Sequence, residues 1–207
     1  MVKPVSKDDH KTEEKILEAA KDEFMKFGLY GARMQSIADT AGINKALLHY
    51  YYRSKENLFD KVFEGALKRY FDQMDVLEDE ALSFKKRIFL YIDHLIDFLE
   101  EYPHVSLFII KEVSVSPEMF KEKMYSTRKS RGKKLYILLE EEKAKKTIAN
   151  IDTQMFIINM QSMCYYPFIA SPLYKTIFNL SAKDWKDLSN VKLKKAVKNF
   201  VERTLNI

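Results

Sequence analysis

The sequence contains few of the residues that break or crosslink a chain, with only five glycines, five prolines and one cysteine in 207 residues. The scarcity of turn residues, and the lack of useful runs of alternating β-branched residues, favour helices over sheets. The lone Cys164 excludes an internal disulfide and offers no cysteine cluster for zinc, which fits a reducing compartment. We therefore expect a cytoplasmic protein.

Long apolar runs and catalytic motifs are also missing. No window approaches 18 uncharged apolar residues, so no membrane span is expected, and the polar residues 1–12 lack the apolar core of a signal peptide. The four histidines are scattered, and neither H-E-x-x-H nor G-x-S-x-G occurs. The sequence therefore predicts no catalytic residue, no metal site and no cofactor.

The composition nevertheless allows a large core, because 46% of the residues are hydrophobic and 13% are aromatic. Apolar residues recur at helical spacing along most of the chain, which predicts an all-α fold. The formal net charge of +5 suits a polyanionic partner. A lysine-rich genome composition would produce the same excess, so the distribution of the charge matters more than its sum.

The most informative stretch is residues 34–58, which predicts a short helix, a sharp turn and a second short helix. Gly42 stands where a helix ends in a left-handed residue, and Asn44 is suited to cap the second helix. The apolar residues that share one face of the first helix are Ile37, Ala38 and Ala41. Two helices joined in this way form the helix-turn-helix pattern, whose second helix enters the DNA major groove.

Positive charge is concentrated on this pattern. Residues 31–55 contain four basic residues, Arg33, Lys45, Arg53 and Lys55, against the single acidic Asp39. A basic patch on a candidate reading helix favours a nucleic-acid partner. Taken alone, the residues A-x-x-A-G-I also fit an ordinary helical hairpin, so the adjoining residues decide between the two interpretations.

Those adjoining residues carry a family resemblance. The segment G-L-Y-G-A-R-M-Q-S-I-A-D-T-A-G-I-N-K-A-L-L-H-Y-Y-Y-R-S-K-E-N-L resembles the DNA-binding domain of the tetracycline repressor (TetR) family over roughly residues 12–65. The shared features are a Gly-aromatic turn before the motif and an aromatic tail ending in S-K-E-x-L. The chain departs from the family pattern at Ala32, Arg33, Ala46 and Leu47, positions that bear on which operator is read.

The resemblance implies roles for individual residues of the motif. Base reading falls to Gln35, Lys45, Leu47 and Tyr50, and phosphate contacts fall to Arg33, His49 and Lys55; the predicted cap Asn44 completes the DNA-binding set. These types suit the task, because amide, ammonium, imidazole and phenol groups hydrogen-bond to base edges or phosphates, while Leu47 can contact a thymine methyl. Tyr51, and in part Tyr52, are expected in the core instead.

The chain is expected to divide into two parts. Residues 1–65 form a three-helix DNA-binding domain with its core at 12–58, and residues 66–207 form a helical domain for effector binding and dimerisation. A long helix beginning at Ser54 connects them. Further helices are predicted over about residues 83–101, 105–115, 117–145, 153–170 and 189–205.

Two sets of residues in the second part are candidate binding surfaces. Met119, Phe156, Met160 and Met163 can line a cavity for an apolar effector, because thioethers and rings adapt to varied shapes; the alternative is that they are plain core. Leu193, Val197, Phe200 and Val201, with the outer face of residues 153–170, are predicted to form a four-helix dimer interface.

These features predict a ligand-responsive transcriptional regulator. We expect a repressor that binds a palindromic operator in double-stranded DNA as a homodimer and is released by a small apolar or amphipathic effector, with no membrane partner. Two alternatives remain at this point: an all-helical enzyme that acts on an apolar small molecule, and a DNA-binding dimer without an effector.

Overall fold

A computed structural model describes residues 7–118, residue 121 and residues 133–207. Within these residues all regular structure is helical and no strand occurs, which confirms the predicted all-α fold. None of the helices in the described ranges is long and apolar enough to cross a membrane. The pocket candidate Met119 and the middle of the predicted helix over residues 117–145 lie outside the described residues.

Helices account for the regular structure of both halves of the described chain. Those of the first half are α1 (Lys7–Gly31), α2 (Met34–Ala41), α3 (Lys45–Tyr52), α4 (Lys55–Asp72), α5 (Phe84–Glu101) and α6 (Pro103–Val115), with a 3₁₀ turn at Asp75–Glu78 between α4 and α5. Those of the second half are α7 (Lys134–Ala144), α8 (Thr153–Ile169), α9 (Ser171–Ile177), α10 (Ala182–Asp187) and α11 (Lys194–Leu205), with a π-helical segment at Leu188–Leu193 before α11.

Several helix starts are set by side-chain caps. The Asp152 side chain accepts a hydrogen bond from the backbone N–H of Met155 at 3.0 Å and begins α8. Ser83 caps α5 in the same way through the N–H of Lys86. Each cap satisfies a backbone donor that the first turn of a helix leaves without a partner.

The chain forms two compact units. The first contains the described residues of Met1–Lys68 and Phe108–Phe120, and the second those of Arg69–Leu107 and Lys121–Ile207. The first unit therefore extends three residues beyond the predicted boundary at 65 and also includes the second half of α6. The sequence did not indicate this addition, because 30 residues of chain separate the end of α4 from the start of α6.

The core of the first unit joins α1 to the helices that follow it. Phe24 of α1 meets Phe59 of α4 edge to face at 5.1 Å between ring centroids, and Phe108 of α6 meets Phe59 and Phe63 at 5.9 and 5.7 Å. Aromatic pairs of this kind add to the stabilisation from area burial. The aromatic cluster explains why residues from Phe108 onward belong to the first unit.

The second unit is built around α5. The face of α5 predicted to be apolar is buried, and the helix packs against α8 and α11. Ion pairs line the contact with α11: Lys198 lies 2.6 Å from Asp93, Lys194 lies 2.5 Å from Asp97, and Lys85 pairs with Glu202.

This packing bears on the predicted dimer interface, because two of its four α11 residues are fully covered within the single chain. Val197 and Val201 are each 0% exposed in the single chain, and Phe200 stacks on Phe156 of α8 at 5.8 Å between ring centroids; Leu193 is half-buried. A side chain with no exposed surface in the single chain offers none to a second copy. The amphipathic stripe of α11 is real, but α5 and α8 of the same chain cover it.

Candidate DNA-binding surface

Helix α2 receives its N-terminal cap from another helix. Its N-cap residue, Arg33, provides no side-chain cap. Instead the Glu23 carboxylate of α1 accepts hydrogen bonds from the backbone N–H of Arg33 at 3.0 Å and from the Ser36 hydroxyl at 2.8 Å. A negative charge at a helix N-terminus is favourable, because it meets the positive end of the helix dipole.

The turn between α2 and α3 has the predicted geometry. Gly42 is left-handed, with φ 69° and ψ 33°, a conformation that glycine adopts without a steric penalty. The backbone N–H groups of Gly42 and Ile43 bond back to Asp39 O and Ala38 O at 3.2 and 3.0 Å. The Asn44 side chain then accepts from the N–H of Leu47 at 2.8 Å and begins α3.

Helix α3 has one buried and one exposed face. Leu48 and Tyr52 are buried against the rest of the unit, whereas Tyr50 is 79% exposed. The other exposed residues of the helix are Lys45, Ala46, Leu47 and His49. Three of the four predicted base-reading residues, Lys45, Leu47 and Tyr50, therefore share the exposed part of one short helix.

The remaining predicted contacts lie on α2, at its start, and at the end of α3. Arg33 and Gln35 are exposed, and the Gln35 amide donates to Asp39 Oδ1 at 2.8 Å. His49 is also exposed, with Nδ1 3.1 Å from the carbonyl of Arg53. The Gln35 contact leaves its amide oxygen available and satisfies one oxygen of Asp39, the one acidic residue of the motif.

Lys55 has a structural contact that the sequence did not predict. Its Nζ donates to the carbonyl oxygens of Tyr30 at 3.3 Å and Ala32 at 3.2 Å, and the side chain is half-buried. An ammonium group has three donors, and two are used here. Lys55 therefore joins the start of α4 to the corner between α1 and α2, besides any contact that it makes to phosphate.

The aromatic run at the end of α3 separates differently from the expectation, since Tyr52 and not Tyr51 is the buried member. Tyr50 is exposed, Tyr51 is half-buried and Tyr52 is buried. The hydroxyl of Tyr51 donates to Asp9 and that of Tyr52 donates to Glu13, each at 3.1 Å. Burial and the adjacent Glu13 carboxylate raise the pKa of Tyr52 above its ordinary value, so this phenol remains a neutral donor.

Sequence reasoning missed Glu23 and the bonds of Lys55. Both depend on which helices meet, and no local spacing rule connects residue 23 with residue 36 or residue 55 with residue 32. The only signal in the sequence was the residue type, a carboxylate within one helix and a lysine in the first turn of another. Such charged groups require partners where the fold covers them, but the residue type does not say which partners.

The surface combines exposed donors with positive charge. Arg33, Lys45 and Arg53 are exposed cations, and the phenol of Tyr50 can donate or accept. Such groups bond to phosphate oxygens and to base edges in the major groove. Within the described residues, no group of three or more His, Cys, Asp or Glu side chains is arranged to hold a metal ion.

The predicted pocket residues of the second unit are mostly interior. Phe156 and Met160 are buried, Met163 is half-buried, and Phe156 is occupied by its stack with Phe200. Phe156 and Met160 therefore contribute to the protomer core. Whether they also line an effector site stays a prediction.

The chain is similar to known regulatory proteins. The family model of bacterial regulatory proteins of the tetR family matches residues 16–62. The HTH-type transcriptional regulator RutR of Escherichia coli K12 is 32% identical over 108 residues, which are 52% of this chain and 50% of RutR. The HTH-type transcriptional repressor SCO4008 of Streptomyces coelicolor is 33% identical over 100 residues, 48% of each chain. The matched segment thus spans about half the length of these relatives.

A solved structure extends the similarity to nearly the whole chain. A TetR-like transcriptional regulator from Rhodococcus sp. RHA1 matches with a TM-score of 0.62 and 19% identity, covering 92% of this chain and 95% of the other. At this identity the likeness shows the fold alone. The named relatives are transcriptional regulators and not enzymes.

Proposed function

We propose that this member of the TetR family is a DNA-binding transcriptional repressor that binds a palindromic operator as a homodimer in the cytoplasm and is released by a small effector. The observation that carries the proposal is the exposed face of α3. Lys45, Leu47 and Tyr50 stand on it, while Leu48 and Tyr52 anchor the helix from behind.

A dimer is needed because α3 is only eight residues long. One such helix reaches a few base pairs, whereas two heads related by a two-fold axis read both halves of a palindrome. The two half-sites then lie about one helical turn apart, ~34–36 Å. This requirement makes a pairing surface part of the proposal.

The outer face of α8 supports the pairing. Its large apolar residues Met155, Ile158 and Tyr166 are about half exposed in the single chain, and their spacing of three and eight residues places them on one side of the helix. Apolar side chains clustered on one face are a common feature of protein–protein interfaces. This face was part of the interface predicted from the sequence, and it now replaces the α11 stripe.

Effector control is supported by the helix that both units share. Helix α4 begins at Lys55 in the first unit and continues to Asp72 in the second. A ligand that shifts the second unit can therefore alter the heads through a continuous helix. The relative SCO4008 is named a repressor, which favours repression over activation for this chain.

The test begins with operator selection from random duplexes by the wild-type protein, followed by gel-shift measurement. Tyr50→Ala and Lys45→Ala should each lose ~1–3 kcal/mol of operator affinity per half-site, as expected for lost base contacts. The matched controls Tyr136→Ala and Lys183→Ala change exposed residues of the second unit and should bind as wild type. Wild-type affinity in both α3 variants would refute α3 as the reading helix.

A further inference from the structure

Three tyrosine hydroxyl groups come together inside the second unit, on α4, α5 and α8. The hydroxyls of Tyr165 and Tyr70 share a hydrogen bond of 2.9 Å, and their rings stack at 6.0 Å between centroids. Tyr91, on α5, is 0% exposed. Its hydroxyl lies near the other two, since Tyr70 contributes to the raised pKa of Tyr91 and Tyr91 contributes to the raised pKa of Tyr165. We name these three residues the tyrosine cluster.

The tyrosine cluster has more donors than acceptors. The bond between Tyr70 and Tyr165 uses one of their two O–H hydrogens, whichever residue donates. The Tyr91 hydroxyl is buried and has no hydrogen-bond partner among the described residues; the nearby Gln161 side chain opposes the rise of its pKa. Buried polar groups are nearly always bonded, so two O–H groups here await an acceptor.

Within the described part of the chain, the groups that act on the cluster are neutral. Burial raises the pKa of Tyr70, Tyr91 and Tyr165, and the other groups that act on these phenols are Gln161 and Cys164. Burial also raises the pKa of the Cys164 thiol, to about 12, so the thiol is uncharged. An ionic ligand would lose its hydration here without gaining a counter-charge.

The side chains next to the cluster on α5 and α8 are apolar. Ile88, Ile92 and Leu95 are buried beside Tyr91 in the sequence of α5, and Met160 is buried one turn before Cys164 on α8. Thioether and aliphatic side chains can adjust to an apolar guest. The unit therefore offers two hydroxyl donors at the edge of an apolar interior.

We propose that the tyrosine cluster is the polar end of the effector site and takes a neutral molecule with an acceptor oxygen, such as a ketone or amide carbonyl, on an apolar frame. The proposal rests on the effector control proposed above and adds the chemical class of the effector. The acceptor oxygen receives the O–H of Tyr91 and the remaining O–H of the Tyr70–Tyr165 pair, and the frame lies among the apolar side chains.

The first experiment needs no ligand. An unpaired buried hydroxyl destabilises the protein that carries it, so Tyr91→Phe should raise the melting temperature of the ligand-free protein by several degrees. Tyr136→Phe, at a partly exposed position on α7, should leave it unchanged. A lower melting temperature for Tyr91→Phe would show that the hydroxyl is already satisfied, by the protein or by a fixed water, and would overturn the proposal.

The second experiment uses three probes with the same bicyclic frame: α-tetralone, which has a ketone; tetralin, which lacks it; and tetralin-1-carboxylate, which carries a negative charge. Calorimetry on the wild-type protein should give a dissociation constant at least tenfold lower for α-tetralone than for the other two. Tyr91→Phe should abolish this preference while binding of tetralin persists. No preference for the ketone, or a preference that survives in Tyr91→Phe, would overturn the proposal.

Neither experiment contains DNA, so the outcome is separate from that of the operator tests. A tyrosine-dependent preference for α-tetralone supports the site even if Tyr50→Ala leaves operator binding intact and the reading helix is reassigned. Conversely, a protein that binds operator through α3 but shows no such preference retains its function as a DNA-binding regulator and loses this site.

Discussion

Glu23 of α1 accepts a hydrogen bond from the Ser36 hydroxyl of α2 at 2.8 Å, while its second oxygen accepts the backbone N–H of Arg33 at 3.0 Å. The carboxylate thus replaces the N-cap that Arg33 cannot supply and fixes α2 against α1. The orientation of the helix-turn-helix within the first unit depends on this contact between residues 13 positions apart.

We expect Glu23→Ala to lower the free energy of unfolding by about 1–2 kcal/mol, the usual effect of losing a charged cap. Glu23→Gln, which keeps one acceptor oxygen, should lose less. Urea unfolding measures both. Glu18→Ala is the control, because Glu18 is exposed and pairs with Lys21 across one turn of α1; an equal loss in the control would contradict the special role of Glu23.

Local signals predicted the motif well, because the chemistry of each cap or turn lies within a few residues. Gly42 and Asn44 have the conformation and the hydrogen bond expected from their residue types. Glu23, Lys55 and the place of α6 depend on which helices meet in three dimensions. Periodicity alone does not specify those contacts.

The stripe on α11 shows the same limit. The spacing of Val197 and Val201 predicts a buried face correctly, yet it carries no information on whether the covering helix belongs to the same chain or to a second copy. Burial in the single chain assigned the stripe to the protomer core. The exposed apolar face of α8 could be distinguished from core only in the folded protein, because α8 is apolar on nearly every side.

Lys55 is expected to affect stability as well as DNA binding. Lys55→Ala leaves the carbonyls of Tyr30 and Ala32 without their partner and should lower the free energy of unfolding by about 1–2 kcal/mol. It should also weaken binding to all duplexes and reduce the salt slope if the third donor reaches phosphate. Lys45→Ala, at an exposed position, should leave stability within about 0.5 kcal/mol. A change in the salt slope with unaltered stability would mean that Lys55 is only a phosphate contact.

Gly28 interrupts α1 in a conformation that suits glycine, with φ 68° and ψ −179°. A Cβ at this position would lie 2.8 Å from Glu112 Oε1. Gly28→Ala should therefore lower the free energy of unfolding by roughly 2 kcal/mol or more, since backbone strain adds to the clash. Gly42→Ala is the comparison and should lose less, because Gly42 (φ 69°, ψ 33°) is in the ordinary left-handed region and no atom lies within 4 Å of the added Cβ, whereas ψ −179° puts Gly28 in a region adopted almost only by glycine. Thermal unfolding that shows equal losses would contradict the additional strain and contact at Gly28.

The carboxylate of Glu112 gives a prediction for pH dependence. Burial raises its pKa above the ordinary value of 4.5, although Lys111 and the N–H of Leu29 oppose the shift. The folded protein then binds this proton more tightly than the unfolded chain, so the contribution to stability is largest below 4.5 and falls as pH rises through the raised pKa. Glu112→Gln does not titrate, so its stability relative to wild type should increase with pH across this window. Denaturation curves on both sides of the window measure the difference; a constant difference would contradict the shift.

The final prediction concerns the dimer and separates its two candidate faces. Ile158 is 55% exposed in the single chain and Val197 is 0% exposed. If α8 forms the interface, Ile158→Glu places a carboxylate in the seam of the dimer, where an unpaired buried charge is costly enough to dissociate a moderate interface. The protomer itself should remain folded, because the side chain already has access to water. Val197→Glu should instead unfold the second unit, since its charge would lie inside the protomer between α11 and the helices that cover it.

Sedimentation measures the state of association and circular dichroism measures folding, with Lys183→Glu on α10 as an exposed control that should change neither. A folded dimer of Ile158→Glu would place the interface away from α8, whereas a folded monomer of Val197→Glu would restore the α11 stripe as the seam.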